Sequence, residues 1–359
     1  MSYRTKEIAI LLSLLLAAGA GARQVAPADP PGLPDDPASP ALWSDRGDAL
    51  LDEGRTGDAW LCYERALALA PNQVPNLSRA ARFFERIGRR EEALRASARI
   101  LALGSSYSPA ILRGYTSSSY DLQDTLDYGL PDPAEGGTRV HHDYFRLLLH
   151  LSSRENIQKA WEHLDAKKLT DPALTARYLD YLLGRKLYDD ALALRRAGAY
   201  LRTEFIANGG FESDPDGSPF DWRLRPVAGA AAAIVPLDGK RALRVEFDGT
   251  ANLAYRHASQ DTLTPPGRYR FSARMQSEGL TTNRGVGLRI YDPDGARNLD
   301  LSTEEFSGTR PWSALSRTLV VPAATRRVRV EVFRSPSEQF DNKIAGRVWI
   351  DDVTLTLLP

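Results

Sequence analysis

Residues Asn208 to Leu224 read NGGFESDPDGSPFDWRL. Glycine, proline and aspartate crowd this stretch, and it closes on Trp222, Arg223 and Leu224. Such residues favour turns over helix or strand interiors. The pattern changes across it. Before it, from Pro40, apolar residues recur at helical spacing; after it they alternate. The stretch therefore marks a change of fold class within one chain.

Downstream, Leu243, Val245 and Phe247 alternate with Arg244 and Glu246. Tyr269, Phe271, Ala273 and Met275 alternate with Arg270, Ser272 and Arg274. Val286, Leu288 and Ile290 alternate with Gly287, Arg289 and Tyr291, and Val328, Val330 and Val332 with Arg329 and Glu331. Turn signals PPG, DPDG and DG separate these runs. Half-buried strands without helical stretches between them predict a sandwich of two sheets over 201–359. Carried backwards from Val353, Leu355 and Leu357, the alternation puts Trp349 and Asp351 on the inward face.

Upstream, a frame of about 34 residues counted from Pro40 finds Trp43, Gly47, Leu50, Ala59, Tyr63, Ala66 and Pro71 at regular offsets. Small Gly47 and Ala59 allow two helices to approach, while Trp43, Leu50 and Tyr63 fill the space between them. The next frame places Leu77, Ala81, Phe84, Ala93, Ser97 and Ile100 alike, with Gly88 as a helix stop. Ala160 and Ala191 take the close-approach position in later helix pairs, with Pro172 as terminator. Residues 108–140 read as one helix and an irregular loop.

These positions resemble the tetratricopeptide repeat, with Arg46 standing where that family usually has leucine. The resemblance implies a helical solenoid over 41–200 that binds a protein partner. From NGGFE through DW, DGKRALRVEF and PGRYRFSARM to VWIDDVTLTL, the second half resembles carbohydrate-binding modules of the galactose-binding-like jelly-roll group. That likeness implies polysaccharide binding, a strand carrying Phe211 into the core, Trp222 at the sandwich edge and a last strand beside the first. The expected class is multidomain α + β, an α-helical tetratricopeptide-like solenoid followed by an all-β jelly-roll sandwich.

An inward Asp351 needs a partner, because an unpaired buried carboxylate is costly. Related modules hold a structural calcium near their first and last strands. By that likeness the candidate ligands are Glu212, Asp238 and either Asp351 or Asp352; arginines are the alternative partners. Sugar rings need flat aromatic surfaces and polar groups for their hydroxyls. The candidates are Tyr255, Arg256 and His257 together, Tyr291 on the polar parity of its strand, and Trp312 in a loop.

The N-terminal segment has Arg4 and Lys6, an apolar run from Ile8 to Ala18, and Ala20-Gly21-Ala22. It is the pattern of a secretory signal peptide over 1–22, or of an anchor if it is not cleaved. A Pro-rich linker over 23–40 follows. Export to a bacterial periplasm or cell surface is expected, with no membrane span after cleavage. The single cysteine, Cys62, excludes an internal disulfide. Forty-six basic and 46 acidic side chains cancel, which removes the bulk charge that nucleic-acid binding relies on.

No nucleophile elbow, phosphate loop, dinucleotide fingerprint or zinc-protease motif occurs. His141, His142, His150 and His163 are expected on helix surfaces. The expectation is a non-catalytic adaptor, its repeats on a protein and its sandwich on a polysaccharide, with exopolysaccharide production or surface assembly as the setting. The rivals are an assembly protein whose sandwich contacts protein, and a glycan-active enzyme built on two facing carboxylates.

Overall fold

The structure, a computed structural model, describes residues 35–117, 120–197, 205–295 and 299–359. The apolar N-terminal run and most of the Pro-rich stretch lie outside the described residues. The chain divides into two compact units, 1–163 and 164–359. It is α + β: helices occupy the first half, and two antiparallel sheets form a β-sandwich in the second. Among the described residues no helix is long and apolar enough to cross a membrane.

The first unit opens with α1 (Pro40–Asp52) and α2 (Thr56–Leu69). Ser39 caps α1 by accepting the Leu42 N–H, and Pro40 occupies the first helical turn, where its missing donor costs nothing. Trp43, Leu50, Ala59, Tyr63 and Ala66 are buried together. A Cβ on Gly47 would lie 3.0 Å from the Tyr63 ring, so glycine sets the approach of the two helices. The Tyr63 hydroxyl donates to Asp48, whose other oxygen accepts from Arg79 Nε at 2.8 Å.

Arg79 lies on α3 (Val74–Arg86), which pairs with α4 (Arg90–Ala102). Gly88 takes φ +77° just past α3, and the Arg89 N–H returns to the Phe84 carbonyl at 2.8 Å, as a helix stop requires. Gly54 repeats this after α1, with φ +78° and the Arg55 N–H on the Leu50 carbonyl.

Residues 108–140 are more ordered than one helix and a loop. They form α5 (Ser108–Ser117), the short α6 (Leu122–Asp124), a π-helical turn (Thr125–Gly129) and a 3-10 turn (Pro133–Glu135). The Tyr115 hydroxyl donates to the Gly129 carbonyl at 3.0 Å, and a Cβ on Gly129 would meet Leu94 of α4 at 3.0 Å. Next come α7 (Thr138–Leu151) and α8 (Arg154–Ala166). His141 and His142 are buried rather than on a helix surface, because α7 packs that side inward.

The second unit takes in the last residues of α8, and its first whole elements are a helical hairpin, α9 (Pro172–Gly184) and α10 (Tyr188–Ala197). Pro172 starts α9, and Asp171 caps it by accepting the Leu174 N–H at 2.6 Å. Among the described residues ten strands follow: β1 (Arg223–Leu224), β2 (Ala230–Leu237), β3 (Lys240–Asp248), β4 (Tyr255–Leu263), β5 (Gly267–Leu280), β6 (Gly287–Tyr291), β7 (Asp300–Ser302), β8 (Gly308–Val321), β9 (Arg327–Arg334) and β10 (Ala345–Leu357). One sheet has the order β1-β4-β9-β6-β7, the other β2-β3-β10-β5-β8. Inward-facing side chains of both sheets meet in one apolar core that includes Phe211 and Trp222.

The opening segment departs from expectation. Residues 205–222 form no strand. Phe211 reaches the core from a turn with φ +54° and lies against Trp222, ring centroids 5.1 Å apart. The Asn208 side chain closes this turn, accepting the Ser213 N–H and donating to the Ser213 carbonyl. β10 lies between β3 and β5 rather than beside a first strand. It meets the opening segment where the Val353 N–H donates to the Gly209 carbonyl at 2.9 Å.

A register shift between Asp351 and Thr354 breaks the alternation of β10. Val348 and Ile350 therefore point into the core, and Trp349 points outward, half-buried. The inward placement expected of Trp349 is thereby corrected.

Candidate functional site

The outer face of the β1-β4-β9-β6-β7 sheet carries a continuous set of charged side chains. Register fixes their order. Arg223 of β1 pairs with Ser259 of β4, Ser259 with Glu331 of β9, and Glu331 with Arg289 of β6. In the adjacent row Asp261 pairs with Arg329, Arg329 with Tyr291, and Tyr291 with Asp300. The apolar residues between these positions, Val330 and Val332 among them, face the core and hold the polar ones outward.

Glu331 is the centre of the first row. Its side chain is only 3% exposed. One oxygen accepts from Arg256 Nη1 at 2.7 Å and Arg289 Nη1 at 3.3 Å, and the other from the Tyr291 hydroxyl at 3.1 Å. Arg289 also grips Asp300 with two bonds of 2.7 Å and lies 4.1 Å from the centre of the Tyr291 ring. Arg329 holds Asp261 through bonds of 2.6 and 2.8 Å. Two-point bonds of this kind fix both partners.

These contacts set the protonation states. The hydrogen bond to Asp300 raises the Arg289 guanidinium above its ordinary value, and the bond to Asp261 does the same for Arg329. Arg289 in turn holds Asp300 below the usual carboxylate range. Burial first, and then the Glu331 charge, push the Tyr291 hydroxyl up, so it remains a neutral donor.

The sugar-binding candidates separate. Arg256 and Tyr291 converge on Glu331. His257 is half-buried beside them in sequence; its carbonyl accepts the Arg225 N–H at 2.8 Å, and its ring lies 5.5 Å from that of Tyr255. Tyr255 itself is 1% exposed and packs against Phe247 in the core, so its ring has no face free for a sugar. Trp312 lies on strand β8 of the other sheet, not in a loop, with the Arg274 guanidinium 5.2 Å from its ring centre. Sequence reasoning noticed Glu331 only as a polar spacer. Its signal was an acid at an outward position among arginines.

At one end of this face the α9–α10 hairpin adds further charge. Asp180 of α9 takes a two-point bond from Arg223. The Tyr188 hydroxyl donates to Asp294 at 2.6 Å, and Arg326 donates to Asp189 at 2.6 Å. An open cleft of about 530 Å³, lined by Pro215, Gly217 and Trp222 through Arg225, lies against β1.

The four metal-ligand candidates also divide. Asp351 is 6% exposed, and burial pushes its carboxyl up from the ordinary value; the Asp352 N–H donates to it at 2.7 Å. A Cβ on Gly210 would lie 3.9 Å from Asp351 Oδ1 and 4.0 Å from Glu212 Cγ, so these two side chains flank the same glycine. Asp352, turned outward with φ +51°, faces Arg274 at 3.5 Å. Asp238 is exposed on the β2–β3 turn with φ +50°. Among the described residues no group of three or more His, Cys, Asp or Glu side chains gathers to hold a metal.

No protein-family model matches the chain. No curated protein matches it. Solved structures of carbohydrate-binding modules are similar to it. One is the N-terminal CBM22-1-GH10 module pair of a Clostridium thermocellum endo-1,4-β-D-xylanase complexed with xylohexaose, at 15% identity and TM-score 0.31; the match covers 44% of this chain and 29% of that one. A CBM4 structure matches at 16% identity and TM-score 0.31 over 43% of this chain and 99% of its own. A CBM61 in complex with β-1,4-galactotriose matches at 18% identity and TM-score 0.30, over 44% of this chain and 100% of its own. This chain thus spans under a third of the xylanase chain.

Proposed function

We propose that the protein is an exported, non-catalytic adaptor whose β-sandwich binds a polysaccharide on the outer face of the β1-β4-β9-β6-β7 sheet. The observation that carries this reading is the convergence of Arg256, Arg289 and Tyr291, from β4 and β6, on the carboxylate of Glu331 in β9. Such a set offers fixed donors and acceptors for sugar hydroxyls, with the Tyr291 ring beside them. His257 borders the set, and Arg223 extends its row toward the cleft at β1.

In this reading the helical repeats hold a protein partner, and the setting is exopolysaccharide production or surface assembly. A structural calcium at Glu212 and Asp351 relieves the cost of the buried carboxylate and locks the opening turn onto β10. The test is binding of soluble polysaccharides to the full chain, with Glu331→Gln and Tyr291→Ala alongside. Loss of binding in both variants supports the reading.

A second reading has its own observation. The arginines and carboxylates of this face already satisfy one another, and Arg289 lies over Tyr291. An assembly protein whose sandwich contacts protein and binds no sugar needs no more than that. It predicts no retention of any glycan by the wild-type chain.

A further inference from the structure

The opposite sheet presents a different surface. Its outer face pairs only some of its charges, and it carries two half-buried tryptophans. Trp349 of β10 is in register with Arg244 of β3 and Gln276 of β5. Trp312 of β8 follows the same outward parity as Ala314, which pairs with Arg274, and stands beside Gln276 across the register shift in β5 and β8. Trp349, Gln276 and Trp312 thus form a row across three adjacent strands. Two strand spacings separate the indoles by about 10 Å.

Below this row the face is lined with hydroxyls and cations. Thr354, Ser272 and Ser316 form one register row, and Thr356, Arg270 and Thr318 the next. The charges do not balance. Arg347 is held by Glu246 at 3.0 Å, and Arg274 faces Asp352 at 3.5 Å. Arg268 and Arg270, both exposed on β5, have no ion-pair partner among the described residues. The surplus is positive, on a face that also offers flat aromatic surfaces and hydroxyls.

We propose that the outer face of the β2-β3-β10-β5-β8 sheet is a second ligand surface, built for an extended polysaccharide that bears carboxylates. Trp349 and the face of Trp312 turned away from Arg274 receive the apolar faces of sugar rings, Gln276 and the Ser/Thr rows bond their hydroxyls, and Arg268 and Arg270 pair with uronate carboxylates. A neutral glycan leaves those arginines unused. Exposed Val320 sits in the Arg268 row, but the rows between it and the tryptophans carry hydroxyls and arginines, so the face holds no contiguous apolar centre of the kind protein interfaces bury. The assignment is independent of the first face, since none of its residues belongs to the other sheet.

The experiment titrates the full chain with polygalacturonate and with its methyl ester, in chelator, at low and high salt. The ester keeps the rings and removes the charge. The expected result is binding of the acid form at least about tenfold tighter than the ester, weakening as salt rises. Trp349→Ala and Arg270→Glu should each weaken it by at least about tenfold. Arg270 is exposed, so its variant stays folded even if the tryptophan variant does not. Equal binding of acid and ester, no binding of the acid form, or wild-type affinity in Arg270→Glu would each overturn the proposal.

Discussion

Arg223 and Asp180 meet fork to fork, Nη1 to Oδ1 at 2.7 Å and Nη2 to Oδ2 at 2.8 Å. One residue lies on β1 of the sandwich and the other on α9. With Tyr188 on Asp294 and Arg326 on Asp189, this pair makes the α9–α10 hairpin part of the sandwich unit, which begins at residue 164. A double-mutant cycle with Asp180→Ala and Arg223→Ala should return a coupling of about 1 kcal/mol, the upper end for partly exposed pairs with two-point geometry. A fragment starting at 164 should melt higher than one starting at 201. Equal melting temperatures would remove the hairpin from the unit.

The GG of the opening motif has a packing reason. A Cβ on Gly209 would lie 1.9 Å from the Val353 carbonyl oxygen, a backbone atom that cannot step aside. Gly209→Ala should therefore destabilise the sandwich by about 2–4 kcal/mol, read by denaturant unfolding. A loss below about 0.5 kcal/mol would mean that the opening turn does not rest on β10.

Asp48 makes the helical unit sensitive to acid. Burial works to raise its carboxyl, but the hydrogen bonds from Tyr63 and Arg79 outweigh it and hold the group below its ordinary 3.8. A depressed folded value means the stabilisation is present above the unfolded value and fades as pH falls through the folded one. Wild type should lose stability below pH of about 4 more steeply than Asp48→Asn. Parallel acid limbs would contradict this.

Asp351 has the opposite sign. Its folded carboxyl is pushed up by burial, so ionising it costs stability once the pH exceeds that raised value, and the cost vanishes below the unfolded value. A bound calcium would cancel the cost at neutral pH. Calcium should then raise the melting temperature of wild type at neutral pH and not in acid, and should not raise that of Asp351→Asn. An identical response from both proteins would remove Asp351 from the ligand set.

Much of this was legible from periodicity. Strand positions around Val245, Phe271, Ile290 and Val330 follow from alternation alone, because each strand buries one side. Trp43, Gly47 and Tyr63 show their roles through size. Two of the exceptions share one physical cause: single residues that change the backbone path. The bulge after Asp351 turns Trp349 outward, and left-handed Asn208 and Phe211 make a turn of an expected strand. Tyr255 looked like a ligand residue beside Arg256 and His257, yet it is core. Glu331 was invisible as a site because its three partners come from β4 and β6, brought to β9 only by sheet order.

The most direct test of the central claim is isothermal titration of the full chain with a panel of soluble polysaccharides, comparing wild type with Glu331→Gln and Tyr291→Ala. The account predicts that one glycan class binds wild type and that both variants, still folded at the assay temperature, bind it at least about tenfold more weakly. Binding of no glycan by wild type, or wild-type affinity in both variants, would contradict it.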